Sequence, residues 1–245
     1  MNLLDLSGKT ALVTGASQGL GAAIARTLAA LGAQVVGWDR SLPAEGDAAP
    51  AGIRLEQVDL TDGQALAHAA AALLARGAGI DILVNNAGIQ GLTATIEHQD
   101  DETWARVIDV NLTTVFRMCR IFAPHMQQRC GGRIINIASV AGLRGVAGAV
   151  AYSASKGGVL ALSQALAKEL VASGVTVNCV APGLADTPLQ QQMDTAYIER
   201  IASRIPMGRL CQPGEVAATV AWIASPACSY TTGAVFDVSG GRLGA

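Results

Sequence analysis

The chain has 245 residues, of which 51% are apolar and 15% charged, with a formal net charge of −2 and a mean hydropathy of +0.37. That length buries a substantial core in one domain, so disorder is excluded, and a pI near 5.9 without a run of Lys or Arg excludes an electrostatic footprint for nucleic acid. Arg76 and Asp81 interrupt the most apolar region and the first nine residues carry no basic-plus-apolar leader pattern, so no membrane span is expected and a cytoplasmic location is.

In chain order, short β-branched or aliphatic runs alternate with longer Ala/Leu-rich segments, the pattern of β-α units around a parallel sheet. Strands are predicted at 10–14, 34–39, 54–59, 80–85, 133–138, 176–181 and 235–238. Their near-continuous apolar character suits strands covered on both faces. Helices are predicted at 19–31, 63–76, 101–122, 152–173 and 213–225, with Gly32 and Gly174 as C-terminal stops, Pro213 as a first helical residue and Pro124 ending the third helix. The expected fold is therefore α/β: a single doubly wound, Rossmann-type, seven-stranded parallel sheet with helices on both faces, spanning residues 1–245. Residues 41–52, with Pro43, Gly46 and Pro50, read as a surface loop. Residues 184–207 are polar, helical in pattern and without a strand beneath them, which fits either a substrate lid or a surface helix. Five cysteines, odd in number and without C-x-x-C spacing, read as reduced and mostly buried thiols; no metal-ligand set is apparent, and His68, His98 and His125 are expected at the surface.

The first strand runs straight into a glycine-rich turn, residues 14–21 (TGASQGLG), that opens a helix. Such a turn aims backbone N–H groups and the positive helix end at one spot, which suits a pyrophosphate. Gly15 permits the tight turn, Gly19 the approach of phosphate to backbone, and Gly21 the close packing of helix on strand. Gly15, Ser17, Gln18, Gly19, Leu20 and Gly21 are accordingly candidate cofactor contacts. The second strand ends in Asp39, whose carboxylate can accept from both ribose hydroxyls and repels a 2′-phosphate, favouring NAD over NADP; Arg40, next to it, could instead hold that phosphate.

Tyr152 and Lys156 stand four residues apart on one helical face in a chain with only 3 Tyr and 3 Lys against 14 Arg. A phenol is too weakly acidic to act as a base at neutral pH, and a neighbouring ammonium and a cationic nicotinamide both favour its ionised form. Ser139 closes the fifth strand at its carboxyl edge, where its hydroxyl can donate to a carbonyl or alkoxide oxygen while Tyr152 moves the proton.

Together with Asp59 in VDL, NNAG at 85–88, Asn111 in DVN, the YSASK stretch at 152–156 and PGLADT at 182–187, in this order and spacing, these residues resemble the short-chain dehydrogenases/reductases of the compact, roughly 250-residue kind. The resemblance implies Tyr152 as acid/base, Ser139 as donor to the substrate oxygen, Lys156 as holder of the ribose hydroxyls and Asn111 as anchor of a relay water. It also implies adenine contacts from Asp59 and Leu60, ribose and sheet contacts from Asn85, Ala87 and Gly88, and a nicotinamide frame of Pro182, Gly183 and Thr187. Similar proteins are homotetramers packed through the helices at 101–122 and 152–173.

Substrate contacts in that family come from variable segments, here supplying Gln90, Leu143, Val146, Leu184 and Met193 as candidates for a mainly apolar pocket. Arg144 is the one charge between Ser139 and Tyr152, and could pair with a substrate carboxylate or simply be solvated. The expected activity is NAD-dependent interconversion of a secondary alcohol and its ketone, on a small molecule such as a hydroxy or sugar acid. The alternatives are an NADPH-dependent 3-oxoacyl-carrier-protein reductase, against which Asp39 argues, and a non-catalytic dinucleotide sensor, against which the intact Asn111/Ser139/Tyr152/Lys156 set argues.

Overall fold

In the computed structural model, the described residues are 2–43, 52–77, 79–192 and 195–243. Most of the expected loop at 41–52 lies outside them, as does Met193. Seven strands form one sheet: β1 (Thr10–Thr14), β2 (Gln34–Asp39), β3 (Ile53–Gln57), β4 (Ile82–Asn85), β5 (Gly132–Ile137), β6 (Val175–Pro182) and β7 (Val235–Val238). All pairings are parallel and the order is β3-β2-β1-β4-β5-β6-β7.

The residue alternation within β1 explains why the sheet must be covered twice. Leu12 packs into a cluster with Phe122, Val159 and Leu170, whereas Ala11 and Val13 point to the opposite cluster with Ile24, Val216 and Val220. Each face is sealed by its own helices: α1 (Gly19–Ala30) and α8 (Pro213–Ala224) on one side, α2 (Gly63–Ala75), α4 (Thr114–Gln128) and α6 (Val150–Leu170) on the other. The chain leaves β1 toward β2 on one side and later returns to place β4 on the other. The carboxyl ends of β1 and β4 thus flank the crevice where an open α/β sheet binds its ligand.

The long predicted helix from 101 is in fact α3 (Asp101–Ile108), a π-helical turn at Asp109–Thr113, and α4. Pro124 does not end it: α4 continues to Gln128 with Pro124 inside, because the buried Phe122, Ala123 and Met126 dock this last stretch on the sheet and outweigh the missing backbone hydrogen bond. A short helix absent from the sequence reading, α5 (Val140–Arg144), follows Ser139. Residues of the expected lid form a 3₁₀ turn at Pro188–Gln192 and α7 (Thr195–Ala202). His68 and His98 are exposed as expected, but His125 is half-buried with its Nε2 out of solvent.

Candidate active site

The glycine turn is built by contacts that tolerate no side chain. Gly15 takes φ +64° and its N–H donates to the Trp38 carbonyl at 2.7 Å, while a Cβ on Gly21 would stand 1.9 Å from the Gly15 oxygen and 2.5 Å from Asn86 Nδ2. Asn86 completes the clasp, its amide donating to the carbonyls of Thr14 (2.9 Å) and Gly15 (3.2 Å). Helix α1 begins with no side-chain cap and no acidic residue in its first turn, so its free N–H groups keep their positive field for a ligand. Gln18, Gly19 and Leu20 line the cavity in front of that helix end.

The acid at the end of β2 is oriented by the same turn. Asp39 accepts from the Ser17 N–H at 3.0 Å through one oxygen and from the Ser41 N–H at 3.3 Å through the other. Ser17 itself does not line the cavity; its N–H holds Asp39 and its hydroxyl donates to the Ser41 carbonyl at 2.8 Å. Asp39, Arg40, Asp59 and Leu60 all line the same end. The Asp59 carboxyl is held below the usual carboxylate range, chiefly by the Thr61 hydroxyl and backbone N–H and to a smaller extent by the nearby Arg40 guanidinium. An uncapped helix end beside glycines that admit no side chain, with an acid at the neighbouring strand end, fits the pyrophosphate and ribose of a nicotinamide dinucleotide.

The cavity, about 350 Å³, continues across the sheet to Ser139, Tyr152 and Lys156. Ser139 caps α5, its Oγ accepting from the Ala141 N–H at 3.1 Å, which leaves the O–H as a donor for a substrate oxygen. Lys156 is 4% exposed, its Nζ donates to the Ile137 carbonyl at 2.8 Å, and it stands 5.9 Å from the centre of the Tyr152 ring. Burial pushes the Lys156 amine down to about 8, so at pH 7 it is still an ammonium. The thiols beneath are pushed the other way, Cys179 to about 11 and Cys119 to about 12, again by burial, and are unreactive.

Asn111 sits in the π-helical turn, where the widened backbone turns its amide inward. Its Oδ1 accepts from the Ile89 N–H at 2.8 Å, and its Nδ2 donates to the Ile89 carbonyl at 2.9 Å and to Ser155 Oγ at 3.1 Å. It therefore ties the loop after β4 to α6 from behind the cavity wall rather than lining it. Asn85 is likewise buried, donating to Asn136 on β5 at 2.8 Å, and so serves the sheet rather than the cavity surface. Ala87, Gly88, Pro182, Gly183 and Thr187 line the cavity; so do Gln90, Val146 and Leu184. Leu143 and Arg144 do not: both are exposed at the end of α5, and Arg144 donates to the carbonyl of Arg242.

The family model described as enoyl-(acyl carrier protein) reductase matches residues 15–242. A 3-oxoacyl-[acyl-carrier-protein] reductase of Vibrio harveyi is 39% identical over 97% of this chain and 98% of its own length. The chain belongs to the short-chain dehydrogenase/reductase family. A second relative, the 2-dehydro-3-deoxy-L-rhamnonate dehydrogenase (NAD(+)) of a Sphingomonas species, is 39% identical over 96% of both chains. A solved structure of an Agrobacterium tumefaciens protein with bound NADP matches with a TM-score of 0.90, 36% identity and full coverage of both chains. As a short-chain dehydrogenase/reductase the protein is an oxidoreductase of alcohols and ketones.

Sequence reasoning passed over several residues of this short-chain dehydrogenase/reductase site. Asn86 and Thr14 hold the glycine turn against β4, with the Thr14 hydroxyl accepting from the N–H groups of Asn86 and Ala87 at 3.0 and 3.1 Å. The repeated asparagine of NNAG was the available signal for Asn86. Ser155, buried and donating to the Tyr152 carbonyl at 2.7 Å, lies within the quoted YSASK stretch. Arg106 and Arg242 line the cavity, and no local pattern marks either.

Proposed function

We propose that the protein is an NAD-preferring dehydrogenase that interconverts a secondary alcohol and its ketone on a small hydroxy or sugar acid, with Tyr152 as the acid/base. The observation that carries the reading is a single cavity that joins an oriented acid, Asp39, to Ser139, Tyr152 and the buried ammonium of Lys156. A bound nicotinamide supplies or accepts the hydride. Ser139 donates its O–H to the substrate oxygen and fixes the reacting carbon, while the Tyr152 hydroxyl takes the proton in the oxidative direction and returns it in the reductive one. Lys156 favours negative charge on that phenol oxygen through its positive field, little screened in a buried site. Asn111 secures the loop that faces Lys156: a Cβ on Gly88 would lie 3.2 Å from Asn111 Oδ1 and 3.5 Å from Lys156 Nζ, so both groups border the space beside Gly88, which supports Asn111 as the anchor of a relay water.

Segment 184–207 is proposed as the substrate lid, since Leu184 and Ile201 line the cavity and pack with Ile205 in a small cluster of their own. The likeness to the Vibrio harveyi protein supports a second reading, reduction of a 3-oxoacyl thioester with NADPH. A steady-state comparison separates the two: turnover of a hydroxy-acid panel with NAD+ and NADP+, and of acetoacetyl thioester with NADH and NADPH. The first reading predicts NAD(H) preference and acid turnover, and predicts that Asp39→Ala narrows the cofactor ratio at least tenfold. A wild-type preference for NADPH on the thioester, or an unchanged ratio in the variant, overturns it.

A further inference from the structure

Two walls of the cavity at its cofactor end come from elements that strand pairing does not fix to one another. One is the turn after β3, from which Asp59, Leu60 and Thr61 line the cavity. The other is the π-helical turn with the start of α4, from which Val110 and Thr114 line it. β3 is an edge strand, whereas α4 packs against β4, β5 and β6.

A single side chain bridges these walls. Arg117, one helical turn beyond Thr114 on α4, donates from Nη1 to the Thr61 carbonyl at 2.9 Å and pairs through the same nitrogen with Asp109, in the π-helical turn, at 3.3 Å. Thr61 in turn gives both its N–H (2.9 Å) and its hydroxyl (2.6 Å) to one oxygen of Asp59. These two donors are the chief reason that the Asp59 carboxyl lies below the usual carboxylate range and stays an ionised acceptor at neutral pH. The chain Asp109–Arg117–Thr61–Asp59 thus runs unbroken from one wall to the other. The far end of the turn is secured separately, since Asp62 caps α2 by accepting from the N–H groups of Gln64 and Ala65 at 2.9 and 3.0 Å. Arg117 does not line the cavity, so it reaches a ligand only through Thr61 and the α4 wall.

Resting on the dinucleotide reading proposed above, we infer that Arg117 is a positioning residue for the adenine ring: it fixes the spacing of the two walls and, through Thr61, aims the Asp59 carboxylate at the amino group of the base. A carboxylate has about four acceptor sites, so the two Thr61 donors leave room for an amino group. A base with a 6-oxo group has no donor there and sets an oxygen against the acid. Charge-assisted hydrogen bonds of this kind depend steeply on distance and angle. A turn released from α4 therefore loses its selectivity for the base, while the glycine turn that would hold the pyrophosphate is untouched.

The test uses the full chain and measures Kd, by quenching of protein fluorescence, for NAD+ and for its hypoxanthine analogue, in which a 6-oxo group replaces the adenine amine. The wild type binds NAD+ about 10- to 100-fold more tightly, and Asp59→Ala brings that ratio close to one. Arg117→Met lowers the ratio about 3- to 10-fold with the affinity for the analogue little changed, and Arg117→Lys, which keeps a donor for the Thr61 carbonyl, restores part of it. Asp109→Asn, which removes the ionic anchor of Arg117, lowers the ratio in the same sense, so the test stands even if Arg117→Met does not fold. Variants of Arg117 and Asp109 that weaken both dinucleotides in proportion act only on the fold and overturn the positioning role, while the dinucleotide reading stands. A wild type without preference between the two bases overturns it equally. A wild type that binds neither removes the dinucleotide reading and the inference with it.

Discussion

An ammonium that is 4% exposed, with the Ile137 carbonyl as its acceptor, is expensive to bury, and the expense is visible in Lys156 being pushed down to about 8 by desolvation. In the unfolded chain the same amine titrates near 10.5. Between these two values the unfolded state binds more protons than the folded one, so the Lys156 contribution to stability rises with pH and is lost as pH falls through about 8. From pH 7 to pH 10 the gain amounts to roughly 2–3 kcal/mol. Urea unfolding of the apo protein and of Lys156→Met at the two pH values checks this. The difference between wild type and variant should move in favour of the wild type by that amount, and a difference that stays constant with pH contradicts a buried, protonated Lys156.

At the scale of elements, the β1–turn–α1 unit depends on Gly21 more than on any other glycine of the turn. A Cβ 1.9 Å from the Gly15 oxygen has no flexible neighbour to displace, so helix and turn must separate. Gly21→Ala is expected to cost at least ~1–3 kcal/mol of stability and to weaken NAD+ binding at least tenfold, read by thermal unfolding and by quenching of protein fluorescence. Unchanged binding in a folded variant would contradict the proposed role of the turn. This unit was legible in the sequence because it is local: strand, glycines and helix are consecutive, and Asp39 ends the next strand. Tyr152 and Lys156 were legible for the same reason, being one helical turn apart. The π-helical turn around Asn111 was not, since a single inserted residue leaves the apolar periodicity of α3 and α4 almost unbroken. Pro124 misled because tertiary burial of its neighbours overrides its local preference. Arg144 and Arg242 were illegible as a pair: they are 98 residues apart and meet only because β5 and β7 flank β6.

The whole molecule supplies what no segment contains. Parallel order puts the ends of β1, β2, β4, β5 and β6 along one edge, so that residues from Gly15 to Arg242 line a single cavity. The same arrangement leaves Trp104 of α3 and Phe116 of α4 exposed by 43% and 47% in the segment through which the resemblance implies subunit packing. We propose on that resemblance that the chain is a homotetramer: light scattering after size exclusion should give a mass near four times the 24.9 kDa chain, and a monomer contradicts it. The catalytic assignment itself rests on one hydroxyl group, which can be removed without altering the ring that packs beside Lys156. The decisive measurement is therefore single-turnover hydride transfer by Tyr152→Phe, followed at the absorbance of the reduced nicotinamide alongside a binding titration with NAD+. The account predicts a rate reduced about 10²- to 10⁴-fold with affinity for NAD+ within about threefold of wild type. Transfer at close to the wild-type rate contradicts it.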